Sequence, residues 1–231
     1  MLVIGHRGAS AYAPENTFAS FDLAIAQGAD AIETDIRVTK DGVLVLLHDP
    51  TVDRTTNGHG AVADLTLAQL QALDAGSWFG PQFAGQRIPT LDDFLQRYTG
   101  RVGLVLELKV PGSEASVVDL VQQHQAEAMY VSFHAQSLRS VLALDTARVG
   151  LITTTMSEDL INSAAGAGFQ ELIVLASALT TELVNVAHRR GLAVRAWGIA
   201  DEHALRRVLA TGVDGVAVDW PKVALRVLGR T

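Results

Sequence analysis

The stretch Ile32-Glu33-Thr34-Asp35-Ile36-Arg37-Val38-Thr39-Lys40-Asp41-Gly42-Val43-Leu44-Val45-Leu46-Leu47-His48-Asp49 decides how this chain is read. Two runs of β-branched and apolar residues flank Asp41-Gly42, a dipeptide suited to the tight turn of a hairpin. Side chains alternate across a strand, so Glu33 and Asp35 share one face while Ile32, Ile36 and Val38 take the other. A two-residue turn at Asp41-Gly42 sets His48 opposite Asp35, and a four-residue turn over 39–42 sets it opposite Glu33. Either register gathers two carboxylates and one imidazole on a single face, and a one-residue bulge would break the arrangement.

Two carboxylates on one face of a buried strand repel each other, and burying them unpaired is costly. A cation removes the difficulty. It could be a lysine or arginine, or a hard divalent metal held by oxygen ligands with a histidine beside it for proton transfer.

The chain has 231 residues, 48% of them hydrophobic and 19% charged, which is ordinary globular composition and enough for one sizeable core. It contains no cysteine, so disulfides, thiolate-ligated zinc and thiol nucleophiles are excluded. The formal charge of −7 argues against a general nucleic-acid binder. An acidic protein acting on an anionic substrate needs local basic groups or a metal to offset its own field. No apolar run is long enough to span a bilayer, no basic amphipathic helix is found, and only Met-Leu-Val-Ile precedes Gly5-His6-Arg7. A cytoplasmic protein without stable membrane association is expected, either a monomer or a homo-oligomer.

From Leu2 onward the chain alternates strand and helix. Strands are expected to start near Leu2, Ala31, Val102, Met129, Val149, Glu171, Ala193 and Gly215. Helices are expected over 18–28, 90–98, 113–127, 137–144, 157–165, 181–190, 201–211 and 221–228. Residues 50–89 are irregular but carry Trp78, Phe79 and Phe83, so they read as a packed insertion, with a short helical run around 65–73. Repeats of this spacing imply parallel pairing. The expected fold class is α/β, a (β/α)8 TIM barrel spanning 1–231 as one domain. It carries an extra antiparallel hairpin strand at 43–48 and a small insertion, 50–89, after the second strand.

In such a barrel the active site lies at the C-terminal ends of the strands, and His6, Glu33, Asp35, Glu107 and Lys109 all fall there. Glu107 and Lys109 share one strand face with Val105, while Leu104, Leu106 and Leu108 form the other. Glu107 would complete three carboxylates with Glu33 and Asp35 around one cation such as Mg²⁺, Ca²⁺ or Mn²⁺. His6 and His48 flank the cluster, and Arg7 and Lys109 add positive charge beside it. Metal, arginine and lysine make a phosphate clamp, and two histidines across a phosphate can serve as general acid and base. The constellation points to phosphoryl transfer or phosphodiester cleavage.

Several motifs resemble the glycerophosphodiester phosphodiesterase family. They are His6-Arg7-Gly8-Ala9-Ser10, Ala13-Pro14-Glu15-Asn16-Thr17, Gly28-Ala29-Asp30, Ile32-Glu33-Thr34-Asp35, Thr39-Lys40-Asp41-Gly42 and His48-Asp49. Arg54-Thr55-Thr56, Leu73-Asp74-Ala75-Gly76, Ile88-Pro89-Thr90-Leu91 and Glu107-Leu108-Lys109 extend the likeness. The dense match covers the first half of the chain. The second half matches through Ser132-Phe133, Trp197 and Gly212-Val213-Asp214-Gly215. The resemblance implies a phospholipase C-like barrel enzyme that hydrolyses small glycerophosphodiesters to glycerol 3-phosphate and an alcohol with a divalent metal. It implies Glu33, Asp35 and Glu107 as metal ligands and His6 and His48 as the acid–base pair. It implies Arg7 and Lys109 at the phosphate, and Phe133 and Trp197 at the glycerol end. By analogy His6 is the base and His48 the acid. Direct attack by water and attack by the glycerol 2-hydroxyl, through a cyclic phosphate, both fit these residues. Trp197-Gly198-Ile199-Ala200 lacks the threonine and asparagine that often follow this tryptophan in relatives, and Val218 precedes Asp219 where a threonine is expected. Both departures bear on substrate contacts.

The remaining histidines carry no assigned role. His124, His188 and His203 are expected on helix surfaces, while His134 and His59 lie where they could reach a substrate. Trp78 and Phe79 are expected to pack the insertion. Two alternatives accompany the main reading: lysophospholipase D-type hydrolysis of lysolipids, and a non-catalytic binding protein on the same fold.

Overall fold

A computed structural model describes residues 1–230. Eight parallel strands close a ring: β1 (Leu2–Gly5), β2 (Ala31–Val38), β4 (Gly103–Leu108), β5 (Ala128–Ser132), β6 (Arg148–Thr153), β7 (Glu171–Leu175), β8 (Ala193–Trp197) and β9 (Gly215–Val218). The ring closes because β1 pairs in parallel with both β2 and β9. A ninth strand, β3 (Leu44–Leu46), lies outside it and pairs antiparallel with the upper half of β2. The fold is the expected TIM barrel with one extra hairpin strand.

Helices α1 (Phe18–Ala26), α3 (Leu91–Tyr98), α4 (Glu114–Gln123), α5 (Ala135–Leu144), α6 (Glu158–Gly166), α7 (Thr181–Arg189), α8 (Glu202–Leu209) and α9 (Pro221–Val227) alternate with the ring strands, and the short α2 (Leu67–Gln71) belongs to the insertion. Hydroxyl or carboxylate caps begin many of them: Thr17, Thr90, Ser157, Thr180 and Asp201 each accept a backbone N–H of the first turn. α4 ends four residues earlier than its apolar pattern suggests. Gln125 takes a left-handed conformation at φ 50, and the Ala126 N–H returns to the Val121 carbonyl at 3.0 Å. That closes the helix without the glycine that would mark the stop in a sequence. No helix among the described residues is long and apolar enough to cross a membrane.

The apolar residues sort into three cores. The largest fills the shell between ring and helices, where Phe21, Phe94 and Tyr98 meet edge to face at centroid distances of 4.9 to 5.9 Å. The second fills the barrel itself with Ile4, Ala31, Val105, Met129, Val131, Ile152 and Ile173. Gly150 belongs in that layer because a Cβ there would stand 2.4 Å from Ile173. Beneath it Arg195 Nη2 donates to Glu171 Oε1 at 2.8 Å and its Nε lies 2.7 Å from Oε2, with Arg148 also on that carboxylate, so the buried acid at the barrel base is paired. The third core belongs to the arm and insertion: Val45, Leu47, Val52, Val62, Leu70, Ala75 and Ile88. Trp78, Phe79 and Phe83 meet one another edge to face at 5.5 Å in the insertion, but Trp78 is 41% exposed and the three stand outside that core.

The hairpin register differs from both expected ones. Ile36 pairs with Leu46 and Val38 with Leu44, and the Thr39 N–H donates to Val43 O at 3.0 Å. The turn therefore holds Lys40, Asp41 and Gly42, and extending the ladder would place His48 opposite Thr34, on the face of Ile32 and Ile36. β3 ends at Leu46 instead. The last bond to β2 runs from Leu47 N to Asp35 O at 3.0 Å, and Arg37 then donates twice to His48 O, at 2.9 and 2.6 Å. Arg37 shares the face of Glu33 and Asp35, so this fork fastens the His48 backbone on the side that strict pairing denies it.

Candidate active site

A cavity of about 150 Å³ opens at the C-terminal end of the ring. His6, Arg7, Glu33, His48, Glu107 and Lys109 line one side of it, and Phe133 and Trp197 border the other. Asp35 lies fully buried behind them. All nine residues singled out from sequence thus meet around one cavity.

β2 and β4 run in parallel with Asp35 level with Glu107, and this register gathers the acids. One oxygen from each of Glu33, Asp35 and Glu107 lies within 4.8 Å of the others. Burial and the neighbouring charge of Asp35 push the carboxyls of both Glu33 and Glu107 upward. Burial would raise Asp35 too, but Lys109 and Arg7 outweigh it and hold Asp35 below the usual carboxylate range. Lys109 Nζ reaches Asp35 at 3.0 Å and Glu107 at 2.6 Å, and Arg7 Nε reaches Asp35 at 3.3 Å. Two cationic side chains face three carboxylates; Asp35 Oδ1 meets only the Lys109 ammonium, and Glu33 Oε1 remains buried without a hydrogen bond. An all-oxygen donor set with more carboxylates than cationic side chains and an orphaned Glu33 oxygen fits a hard divalent cation.

The turn after β1 builds the other wall. Arg7 is left-handed at φ 55, and its backbone N–H donates to Glu33 Oε2 at 2.9 Å. Gly8 follows at φ 87, where a Cβ would stand 2.2 Å from Ser20 Oγ, so no other residue fits the turn. Asn16 completes the support. Its amide donates to Asp35 Oδ2 at 2.8 Å and its carbonyl accepts from Thr34 at 2.8 Å.

Each histidine is oriented by a carboxylate. His6 Nδ1 lies 2.7 Å from Asp219 Oδ1, and His48 Nδ1 lies 2.7 Å from Asp49 Oδ1. Asp219 and Asp49 are both held below the usual carboxylate range and so accept, which places the Nδ1 protons and leaves each Nε2 free. Burial works against a charged His6, but the bond to Asp219 and the charge of Glu33 overcome it and raise its pKa. At His48 burial prevails over Asp35 and Asp49, and the pKa falls.

Phe133 and Trp197 meet edge to face at 5.8 Å, and the Trp197 indole N–H donates to Thr153 O at 3.2 Å. His134 is exposed beside Phe133. His59 pairs with Asp53, His124 with Asp92 and His188 with Asp214. Residues that sequence reasoning left without a role here are Glu15, Asn16, Arg37, Asp49, Arg54 and Asp219. Except for Arg37, they sit at positions that the sequence motifs touch, but hydrogen bonding across loops leaves no periodic signal.

The comparisons with known proteins point to one family. The family model described as "Glycerophosphoryl diester phosphodiesterase family" matches residues 6–223. A glycerophosphodiester phosphodiesterase of Caldanaerobacter subterraneus subsp. tengcongensis is 36% identical, covering 98% of this chain and 97% of its own. One of Bacillus subtilis (strain 168) is 33% identical over 98% of this chain and 86% of its own. Among solved structures, an Oleispira antarctica phosphodiesterase in complex with the product sn-glycerol-3-phosphate superposes with a TM-score of 0.93. It is 32% identical and covers 99% of this chain and 97% of its own. With a match that runs through nearly the whole barrel and includes the residues gathered at its mouth, the chain belongs to the glycerophosphoryl diester phosphodiesterase family.

Proposed function

We propose that the chain hydrolyses small glycerophosphodiesters to sn-glycerol 3-phosphate and an alcohol, with a divalent cation and with His6 and His48 as the acid–base pair. The observation that carries this reading is the charge arrangement at the cavity. Glu33, Asp35 and Glu107 would hold the cation, which when bound supplies Lewis-acid stabilisation of the phosphate. Glu33, Asp35, Glu107, Arg7 and Lys109 together carry a formal charge of −1, which a divalent cation turns to +1, and this suits a monoanionic diester.

Both imidazoles commit Nδ1 to a carboxylate, so Nε2 is the working atom of each. His6 takes the proton of the attacking oxygen and His48 returns one to the departing alcohol, following the family analogy. Part of the upward push on His6 comes from the charge on Glu33, which a bound cation neutralises. That frees His6 to accept. Arg7 and Lys109, both anchored on Asp35, hold the phosphate between the two rings. Phe133 and Trp197 form an apolar border against the carbon skeleton of glycerol. A cavity of about 150 Å³ favours a glycerol phosphate over a lipid with its acyl chain inside the barrel.

The test is release of glycerol 3-phosphate from glycerophosphocholine and glycerophosphoethanolamine with Mg²⁺, Ca²⁺ or Mn²⁺, and with chelator, on wild type beside His48→Ala. Cation-dependent release, lowered at least about 10²-fold in the variant, is expected. No release with any cation overturns the small-diester reading and turns attention to lysolipids and then to simple binding.

A further inference from the structure

Arg54 sits in the insertion, half-exposed, and none of its atoms lines the cavity. Its guanidinium nevertheless grips two carboxylates at once. Nε donates to Asp49 Oδ2 at 2.6 Å, while Nη1 and Nη2 donate to the two oxygens of Glu15 at 2.7 and 2.8 Å. Nη2 also lies 3.2 Å from Asp49 Oδ1. Asp49 is the acceptor for His48, and Glu15 accepts from Arg7 Nη1 at 2.9 Å. A continuous chain of charged contacts thus runs from His48 through Asp49, Arg54 and Glu15 to Arg7.

Its two ends belong to different parts of the molecule. Arg7 and Glu15 stand in the loop between β1 and α1, which belongs to the ring. His48, Asp49 and Arg54 stand on the arm, which has a core of its own beyond the Leu44 and Leu46 side chains that reach the main one. Arg54 is itself well founded. Val52 beside it is fully buried, and Thr56 donates to Val52 O at 2.8 Å and accepts from Gly58 N at 3.0 Å. A fork held this firmly at its base can transmit position to what it grips.

We propose that Arg54 is a positioning residue that, through Asp49 and Glu15, locks His48 to the Arg7 side of the site, so that the arm and the ring act as one catalytic unit. The proposal rests on the phosphodiesterase reading above. Arg54 touches no reacting atom. Its effect is to hold the His48 ring where a proton can reach the departing oxygen, and a misplacement near 1 Å can cost about 10²-fold in rate.

The experiment compares Arg54→Gln, Arg54→Lys, Asp49→Asn and the double variant Arg54→Gln/Asp49→Asn on glycerophosphocholine, reading kcat and KM separately. Arg97→Gln is the control, because Arg97 is equally exposed and forks onto Asp22 far from the cavity. Arg54→Gln should lower kcat by about 10- to 100-fold with KM changed less than about threefold. Arg54→Lys should recover only part of the loss, since an ammonium cannot fork onto two carboxylates. The double variant should be no worse than its weaker parent, because both substitutions cut the same chain. Arg97→Gln should leave both constants alone. Hydrogen–deuterium exchange of residues 47–56 gives a reading that needs no turnover. It should quicken about tenfold or more in Arg54→Gln and stay unchanged in Arg97→Gln. A wild type inactive on the diester would overturn the functional reading, and the exchange measurement would still decide the clamp. Unchanged exchange in Arg54→Gln overturns the proposal, as does a kcat within twofold of wild type or losses that multiply in the double variant.

Discussion

His6 and His48 face one cavity but are held by regions of very different build. His6 follows β1, and its carboxylate partner Asp219 follows β9, 213 residues further along. β1 and β9 are hydrogen-bonded neighbours through Leu2–Gly215 to Gly5–Val218, so the pair rides on the closed ring. Ser10 Oγ lies 2.8 Å from both Asp219 and the His6 carbonyl and tightens it further. His48 and its partner Asp49 are adjacent in sequence and stand on an arm whose only strand, β3, has three residues and pairs within the sheet with β2 alone. One half of the acid–base pair therefore inherits the cooperativity of the whole barrel. The other is tied to the main core only through Leu44 and Leu46 of β3, and beyond that strand depends on a small local core and a few charged contacts.

The largest expected effect tests whether the two carboxylates do the same work. Asp219→Asn and Asp49→Asn should each lower kcat by about 10²-fold or more, because an amide no longer fixes which ring nitrogen carries the proton. The two should part company when combined with Arg54→Gln. Losses should multiply with Asp219→Asn, which belongs to the ring, and should not with Asp49→Asn. Steady-state kinetics on glycerophosphocholine gives all five values. A silent Asp219→Asn would mean that the ring carboxylate does not orient His6.

Packing sharpens the contrast. Leu70 and Leu138 are both fully buried, Leu70 in the arm core and Leu138 on α5 in the main core. Truncation of either to alanine removes the same atoms and should cost about 2–5 kcal/mol where it acts. Leu138→Ala should lower the global melting temperature and leave kcat near wild type at temperatures where the protein is folded. Leu70→Ala should lower kcat with a smaller shift in melting temperature, because the arm can loosen while the ring persists. Equal shifts in both measurements would mean that arm and ring unfold as one unit.

The same division explains what a sequence reader can and cannot see. The ring is legible because eight strand–helix repeats carry periodic apolar faces, and the strands expected to start at Glu171, Ala193 and Gly215 begin at those residues. Glu33, Asp35 and Glu107 are legible because alternation places their side chains once the strands are placed. The arm is less so. Turn length sets register, and Lys40-Asp41-Gly42 forms a three-residue turn that Asp41-Gly42 alone does not announce. His48 still reaches the cavity, through the early end of β3 and the fork from Arg37, neither of which has a sequence signature. Arg54 and Asp219 sit in recognisable motifs, but their partners lie 39 and 213 residues away, and one sequence does not reveal such pairings.

The smallest effect expected is on acid stability, and it isolates the charge in the arm. Asp49 ordinarily would titrate near 3.8; the bond from Arg54 outweighs burial, which opposes it, and with the bond from His48 holds it down to about 2. A carboxyl lowered on folding contributes stability that is fully present above its unfolded value and is lost as pH falls through its folded value. The melting temperatures of wild type and Asp49→Asn should therefore differ by a constant amount above about pH 5, and the gap should narrow as pH falls toward about 2.5. Asp49 is partly solvated, so the contribution is of the order of 1 kcal/mol, or about 2–4 °C for a chain of this size. A gap that persists undiminished in acid would mean that the asparagine acts through shape and not charge. The arm would then be held by packing alone, and the Arg54 fork would have no electrostatic part in it.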